Sequence, residues 1–493
     1  MHILPMNMNL HGSNRAPWAK LTLTALAIGS LVAGALAADP ASPSELLERA
    51  VYSEETKGDL DTAVQLYQQV VEQGKETQSL AAQAQYRLGV CYYKKKDYAK
   101  ANEAFEKVLK DYPEQKEIVG AAQEYLSRAV PLQPAPWAQD EQMRYDIRFP
   151  SGFRIGVATY TVHADELDGR KIWRFSSHIF AGVQQVSQVE VEAESMKPIH
   201  SRWKHTLIGD SETTYSPGHA VVKLKEREKA KEIDLSGIVY DNEEAVQLFR
   251  RLPLTTNYNT KITVLSSLSG GMIVPFNVEV AAVEKVEVPA GTFECYRLEL
   301  SIKQTFWVST DAHRYIVKFE AGGVVAELGE VSQPKLGAPV VYHDSGLKLT
   351  LSAPAGWIFD RHESDEAKEG PKIFILDPDA IAMTMLGAKR LDALKPEKKA
   401  SLRACAEAEI AEGAKAFKEA HTREDSWKER TVAGQPALGV VVDFLEGKKK
   451  QVGYAVYTFA GGNELEFFSY MSPDDFEAFK PKFDAIVDSC KLD

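Results

Sequence analysis

The chain runs to 493 residues with only four cysteines, and the patterns that usually carry chemistry are missing from it. Its eleven histidines include no pair four residues apart and no His-Glu-x-x-His, which removes the commonest helical zinc site. No Gly-x-Ser-x-Gly elbow occurs. The nearest stretch, Ser267-Leu268-Ser269-Gly270-Gly271, reads as a hairpin turn. There is no glycine-rich phosphate loop. The cysteines sit among apolar neighbours, whereas a thiol nucleophile needs a polar, activating one. A basic surplus is absent as well: the formal net charge is −12, which argues against nucleic acid as a partner. These absences predict a non-enzymatic protein with no catalytic residue, no metal and no cofactor.

Long apolar runs are also scarce, and the one that exists lies at the start. Arg15 and Lys20 precede an uncharged stretch, Leu21 to Leu36, that ends in Ala35-Leu36-Ala37. This is the pattern of a cleaved signal peptide over residues 1–37, with Met6 or Met8 as alternative starts. The run falls short of the ~20 residues that a spanning helix needs. The expected mature chain is exported, periplasmic or secreted, without a transmembrane segment and with a charge of about −14. In an oxidising compartment Cys405 and Cys490 could form a disulfide; the alternative is two buried thiols. Cys91, beside Tyr92 in the repeat helix, is expected to pack as a small apolar residue, and Cys295, in a β-strand pattern, shows no obvious partner.

Residues 42–130 read as helical. Leu88-Gly89, Tyr92, Ala101, Phe105 and Pro113 fall at the spacings of a tetratricopeptide repeat, a helix pair of 34-residue period. Gly89 lets a neighbouring helix approach, and Ala101 is expected to face it. Leu88, Tyr92 and Phe105 fill the space between helices, Pro113 stops the second helix, and Asp97 caps its start. A weaker copy precedes this one, with its turn at Gly58-Asp59-Leu60 and with Ala63 and Tyr67 in place of Ala101 and Phe105. A last helix over 117–130 is expected to cover the end of the stack. Such repeats hold protein partners. Two repeats make a small groove, fit for one peptide-sized element or for docking on the next domain. Residues 131–136, Pro-Leu-Gln-Pro-Ala-Pro, form a stiff linker.

Residues 137–331 are β-rich. Alternation is clear over 155–162, 186–193 and 278–286, turn signals recur between, and one short helix is predicted over 243–251. The fold expected is a mostly antiparallel curved sheet or open barrel. Val288-Pro289-Ala290-Gly291-Thr292-Phe293-Glu294-Cys295, followed by Thr305-Phe306-Trp307-Val308-Ser309, stands with Tyr145, Gly156 and Met196-Lys197-Pro198. On these residues the segment resembles a family of exported bacterial proteins of unknown function. The resemblance implies a β-rich envelope domain related in shape to lipid and lipoprotein carriers, with no catalytic residue. Trp173, Phe175, Phe276 and Trp307 are candidates to line an apolar ligand site on the concave side; as ordinary core residues they would fill it.

Residues 337–493 alternate strands and helices. Helices are predicted over 396–415 and from Ser472-Pro473 onward, with a hairpin at Gly461-Gly462-Asn463. The order of strand, turn with Trp357, helix, antiparallel strands and C-terminal helix resembles the PsbP-like α/β/α sandwich, whose members mostly act as binding or accessory modules. The function expected is that of an exported interaction or scaffold protein of the cell envelope, holding a protein partner on its helical repeats. The alternative is a carrier of lipid or another apolar ligand in the middle β-domain.

Overall fold

The computed structural model describes residues 41–74, 77–126, 131–137, 140–225, 229–235, 238–335, 337–363, 370–379 and 382–493. The signal peptide expected over 1–37 and the end of the predicted helix at 127–130 lie outside the described residues.

Five helices form the N-terminal arm: α1 (Pro43–Tyr52), α2 (Leu60–Gln73), α3 (Gln78–Lys94), α4 (Tyr98–Asp111) and α5 (Lys116–Leu126). Their starts are written in the sequence. Ser42 and Glu45 make a reciprocal capping box at α1, and Asp59 and Asp97 accept from the backbone N–H groups of Thr62 and Lys100 to cap α2 and α4. Gly58, at φ 66°, turns the chain out of a short π-helical stretch into α2. Ala63, Tyr67, Ala101 and Phe105 are fully buried between the helices. One contact differs from expectation. A Cβ on Gly89 would lie 2.6 Å from the ring of Phe105, so the residue of α4 that the glycine makes most room for is that ring.

The middle domain is one fifteen-stranded sheet. Its first strand, Glu141–Arg148, is central: it pairs antiparallel with Arg154–Leu167 on one side and with the last strand, Val324–Ser332, on the other. Successive hairpins lead outward to Lys231–Asp234 on one side and to Asn259–Ser266 on the other, where Tyr240–Asp241 adds a short parallel edge. Gly156 is demanded by this packing, since a Cβ there would stand 1.8 Å from the carbonyl oxygen of Phe180. The sheet curls until its two ends meet through side chains. Ser211 Oγ donates to Ser267 Oγ at 3.1 Å, and Tyr215, Ala220, Val222 and Ile233 pack with Val239 and Leu265. The ends share no backbone ladder, so the sheet is open.

The hollow of this curl is occupied. Helix α6 (Ala245–Arg251) is buried along its whole length. Phe249 packs on Phe276 and Phe306, with ring centroids 6.5 and 5.0 Å away. Arg250 is sealed in with its charge matched. It donates to Glu141 Oε1 at 2.7 Å and to the carbonyls of His313 and Arg314 at 2.9 Å, and it lies over the Trp137 ring. A buried arginine persists only where its donors are taken up in this way.

The C-terminal domain is mostly β. An eight-stranded antiparallel sheet spans strands from Ile358–His362 to Lys418–Thr422, beside a three-stranded sheet of Val340–Asp344, Leu349–Ala353 and Lys491–Leu492. The single helix expected over 396–415 is two pieces, α7 (Pro396–Lys399) and α8 (Leu402–Gly413). Ser401 adopts an extended conformation between them and caps α8 through the Ala404 N–H. The final helix, α9 (Phe476–Asp488), starts one turn later than Ser472-Pro473 implied, because Ser472 closes a turn with Asp475 instead. Helices α8 and α9 lie on opposite faces. Ala406 and Ile410 meet Val440, Ala455 and Tyr457, while Phe479, Phe483, Ile486 and Val487 pack with Tyr454, Val456 and Phe467. Cys405 and Cys490 therefore stand on opposite faces of the sheet as free, buried thiols: of the two alternatives the possible disulfide is not formed.

Candidate interaction surface and its junctions

The repeat residues picked from the sequence do come together. Leu88 and Phe105 are buried, Tyr92 is half-buried with Lys100 over its ring, and Pro113 follows the end of α4. Polar chemistry within the arm is tied up in structure. Glu54, almost fully buried, accepts from Tyr67 OH at 2.7 Å, Lys94 Nζ at 2.7 Å and Arg87 Nη1 at 3.1 Å. Burial alone would raise its pKa; the bonds from Lys94 and Tyr67 outweigh that and hold it below the ordinary value. This clamp joins the turn between α1 and α2 to α3, and Glu54 was not singled out in the sequence because nothing local marks it.

The arm is not free. Helix α4 lies along the strand Asn259–Ser266 of the middle domain. Tyr98 and Tyr258, both buried, meet edge to face at 6.1 Å, and Lys261 Nζ reaches Glu106 at 2.7 Å. A chain of rings leads inward from this contact through Tyr93 and Tyr125 to Phe105. The first half of the arm keeps its outer surface: Tyr52 at the end of α1 is 53 % exposed.

The aromatic candidates for ligand lining belong to the middle-domain core. Phe175, Phe276 and Trp307 are buried, and Trp173 is half-buried against Trp137. Trp173 Nε1 donates to the Ala193 carbonyl and Trp307 Nε1 to Glu284 Oε1 at 2.7 Å. Phe276 packs against Phe249 of α6, Trp173 and Phe175 against Trp137, and Trp307 beneath Lys318.

The second junction joins the middle and C-terminal domains. Asp360, fully buried, receives Arg154 Nη2 at 2.5 Å and His362 Nε2 at 2.7 Å, with Arg144 Nη2 at 3.8 Å. Burial would raise the Asp360 carboxyl, but His362 and Arg154 hold it below its usual value. Val157 and Phe180 pack beside this pair against Ile358 and Leu376, and Gln184 donates to the Asp377 carbonyl at 2.7 Å.

Two buried acidic groups stand out from this pattern of matched charge. At the seam of the curled sheet, burial raises the Asp241 carboxyl to about 6, although Tyr215 donates to it at 2.5 Å. Neighbouring Glu244 is pushed up too, by burial and then by Asp241. On the α8 face of the C-terminal sheet, burial raises Glu466 to about 7 despite a bond from Tyr457, and Glu464 accepts from the Cys405 thiol at 3.1 Å. The Cys405 thiol is itself pushed up by burial and by Glu464, the reverse of what a nucleophile needs. Among the described residues, no group of three or more His, Cys, Asp or Glu side chains could hold a metal ion, and no helix is long and apolar enough to cross a membrane.

These parts define a class: a short helical-repeat arm fixed to a body of two β-rich domains. Residues 49–116 match the tetratricopeptide repeat family, and residues 144–328 match a family described as a protein of unknown function (DUF3108). The second match spans Tyr145, Gly156, the turn at Pro289-Ala290-Gly291 and the Trp307 strand. No curated protein matches the chain. The solution structure of cyanobacterial PsbP (CyanoP) from Synechocystis sp. PCC 6803 is similar at 15% identity, covering 33% of this chain and 96% of that one, with a TM-score of 0.26. LpqN, involved in cell envelope biogenesis of Mycobacterium tuberculosis, is similar at 13% identity over 32% and 85%, TM-score 0.18. MucB is similar at 8% identity over 75% and 95%, TM-score 0.18.

Proposed function

We propose that the protein is a non-enzymatic, exported interaction protein of the cell envelope that holds a protein partner on the first half of its repeat arm. The observation that carries this reading is the division of labour within the arm. Helix α4 is spent on the middle domain, while α1 leaves Tyr52 exposed beside the clamped turn around Glu54. An exposed aromatic on a rigid helical frame is the kind of anchor that protein interfaces use. The C-terminal domain, read as a PsbP-like α/β/α sandwich, supplies a second surface held at a fixed angle by Asp360. The filled interior of the curled sheet favours this reading over a carrier of apolar ligands. Capture of partners from envelope extract by the full chain tests it. Tyr52→Ala, combined with Glu48→Lys on the same exposed helix, is expected to lose the captured partner while keeping the unfolding midpoint; equal capture by both forms contradicts it.

A further inference from the structure

Neighbouring strands of the middle sheet are joined by backbone ladders, but its two ends meet through side chains alone. Alternate residues of the strand Gly209–Ser216 share one face. On it Ser211 bonds Ser267, Tyr215 OH donates to Asp241 Oδ2 at 2.5 Å, and Thr213 is buried between them. Lys231 Nζ crosses to the Gly270 carbonyl at 3.0 Å. A Cβ on Gly271 would stand 2.1 Å from Ile233 Cδ1 and 3.1 Å from Val222 Cγ2, so the turn at 267–271 packs close against the other end. The sheet can part along this seam without breaking a ladder.

Two fully buried carboxyls, Asp241 and Glu244, are built into the seam. Glu244 Oε1 accepts from the Asp241 N–H and Asp241 Oδ1 from the Glu243 N–H, so the turn at 241–244 holds both acids together ahead of α6. The groups that face them carry no positive charge. Ser201 and Tyr215 face Asp241, Tyr215 and Tyr240 face Glu244, and Glu243 stands beside both with Tyr160 beyond it. Arg251 faces Tyr240 and gives its donors to the Gln133 and Ala193 carbonyls, and Lys231 reaches a carbonyl, not an acid. Thr213 Oγ1, Tyr240 OH, Asn242 Oδ1 and Glu244 Oε2 are buried there without a hydrogen-bond partner in the protein. A network satisfied only in part does not rigidify a core as a complete one does, and a buried ionised carboxylate needs a partner that this site lacks. We propose that the seam is a proton-controlled gate: Asp241 and Glu244 keep it closed while protonated, and release of their protons to solvent parts the strand Gly209–Ser216 from Tyr240–Asp241. Burial sets the sign, since it raises both carboxyls, Asp241 to about 6. The closed seam therefore holds the protons more tightly than a hydrated, open one, and closure weakens as pH rises through about 6. The inference does not rest on the partner-binding reading, because no partner enters it.

Hydrogen–deuterium exchange of the full chain at about pH 5 and about pH 8 tests it, with each amide's protection taken against its intrinsic rate. At the higher pH the strand Gly209–Ser216 is expected to be less protected than the central strand Glu141–Arg148, which marks an opening short of global unfolding. Its protection is expected to fall about tenfold or more between the two pH values, as a carboxyl returning from about 6 to its ordinary value requires. Asp241→Asn with Glu244→Gln is expected to remove that pH dependence. A clamp keeps the test open should that variant fail to fold. Ser211→Cys with Ser267→Cys places two thiols where the hydroxyls stand 3.1 Å apart, in a chain whose four native cysteines are buried. Oxidised, the clamp is expected to abolish the pH response in this strand; reduced, to restore it. Protection of Gly209–Ser216 equal to that of the central strand, or independent of pH, overturns the proposal. So does a pH response that persists in the oxidised clamp or in the folded Asp241→Asn, Glu244→Gln variant.

Discussion

Gly89 and Phe105 show how closely the arm depends on single residues. A methyl group at position 89 would meet ring carbons at 2.6 to 2.9 Å, and Phe105 is fully buried between Tyr86 and Tyr125 with little room to yield. Alanine gains about 1 kcal/mol of helix propensity over glycine, but overpacking a core costs about 1–3 kcal/mol. Gly89→Ala is therefore expected to destabilise the arm by up to about 2 kcal/mol, read from the denaturant midpoint of the helical signal. The buried acids give a second residue-scale outcome. Glu466 and Asp241 have pKa values raised to about 7 and about 6 by burial, so the folded state holds their protons more tightly than the unfolded chain does. Their stabilisation is complete below the ordinary carboxylate value and is lost as pH rises through about 6 to 7. Unfolding midpoints measured between about pH 5 and pH 8 are expected to fall with pH, and Glu466→Gln with Asp241→Asn is expected to flatten that slope. Asp360 acts in the other direction: its lowered value gives stability that is lost on acidification below the ordinary carboxylate range.

At the scale of elements, the contact between α4 and the strand Asn259–Ser266 rests on tyrosine packing more than on charge. The Lys261–Glu106 pair is partly exposed, and such pairs contribute at most about 1 kcal/mol. Truncating a large buried aromatic costs about 3–5 kcal/mol. Tyr258→Ala is expected to cost roughly 3 kcal/mol and to speed amide exchange in α4 and α5, whereas Lys261→Ala leaves that exchange nearly unchanged. Elements of this kind were legible in sequence where local rules decide them. The cap Asp97, the turn at Gly58-Asp59-Leu60, the helix at Ala245–Arg251 and the Gly461-Gly462 hairpin all follow from side chains within a few positions. Long-range pairing was not legible. Nothing near Ala245 announces that the helix fills the curl of the sheet, and nothing near Cys405 shows that Cys490 lies across the sheet from it. The basic partners of Glu54 come from another helix and the arginines at Asp360 from another domain, and no spacing rule reports them.

For the whole molecule, two junctions turn three parts into one body. The tyrosine contact fixes the arm, and Asp360 with Arg154 and Arg144 fixes the C-terminal domain. Removing one partner from a buried pair strands the other's charge, and here both arginines are about a quarter exposed, which softens the loss. Asp360→Asn is expected to cost about 2–3 kcal/mol and to split the C-terminal domain into a separate, lower transition in calorimetry; one unchanged transition contradicts that coupling. A body so fixed presents its surfaces at set distances, which suits a protein that positions others.

The claim at the centre of this account is that the free half of the repeat arm holds a protein partner. Photo-crosslinking in envelope extract tests it most directly, with a photoreactive amino acid replacing Tyr52 in one form of the full chain and Glu106, on the docked face of α4, in another. A discrete protein adduct from position 52, with position 106 crosslinking only within the chain, is the predicted result. Adducts from position 106 alone, or none from position 52, would contradict it.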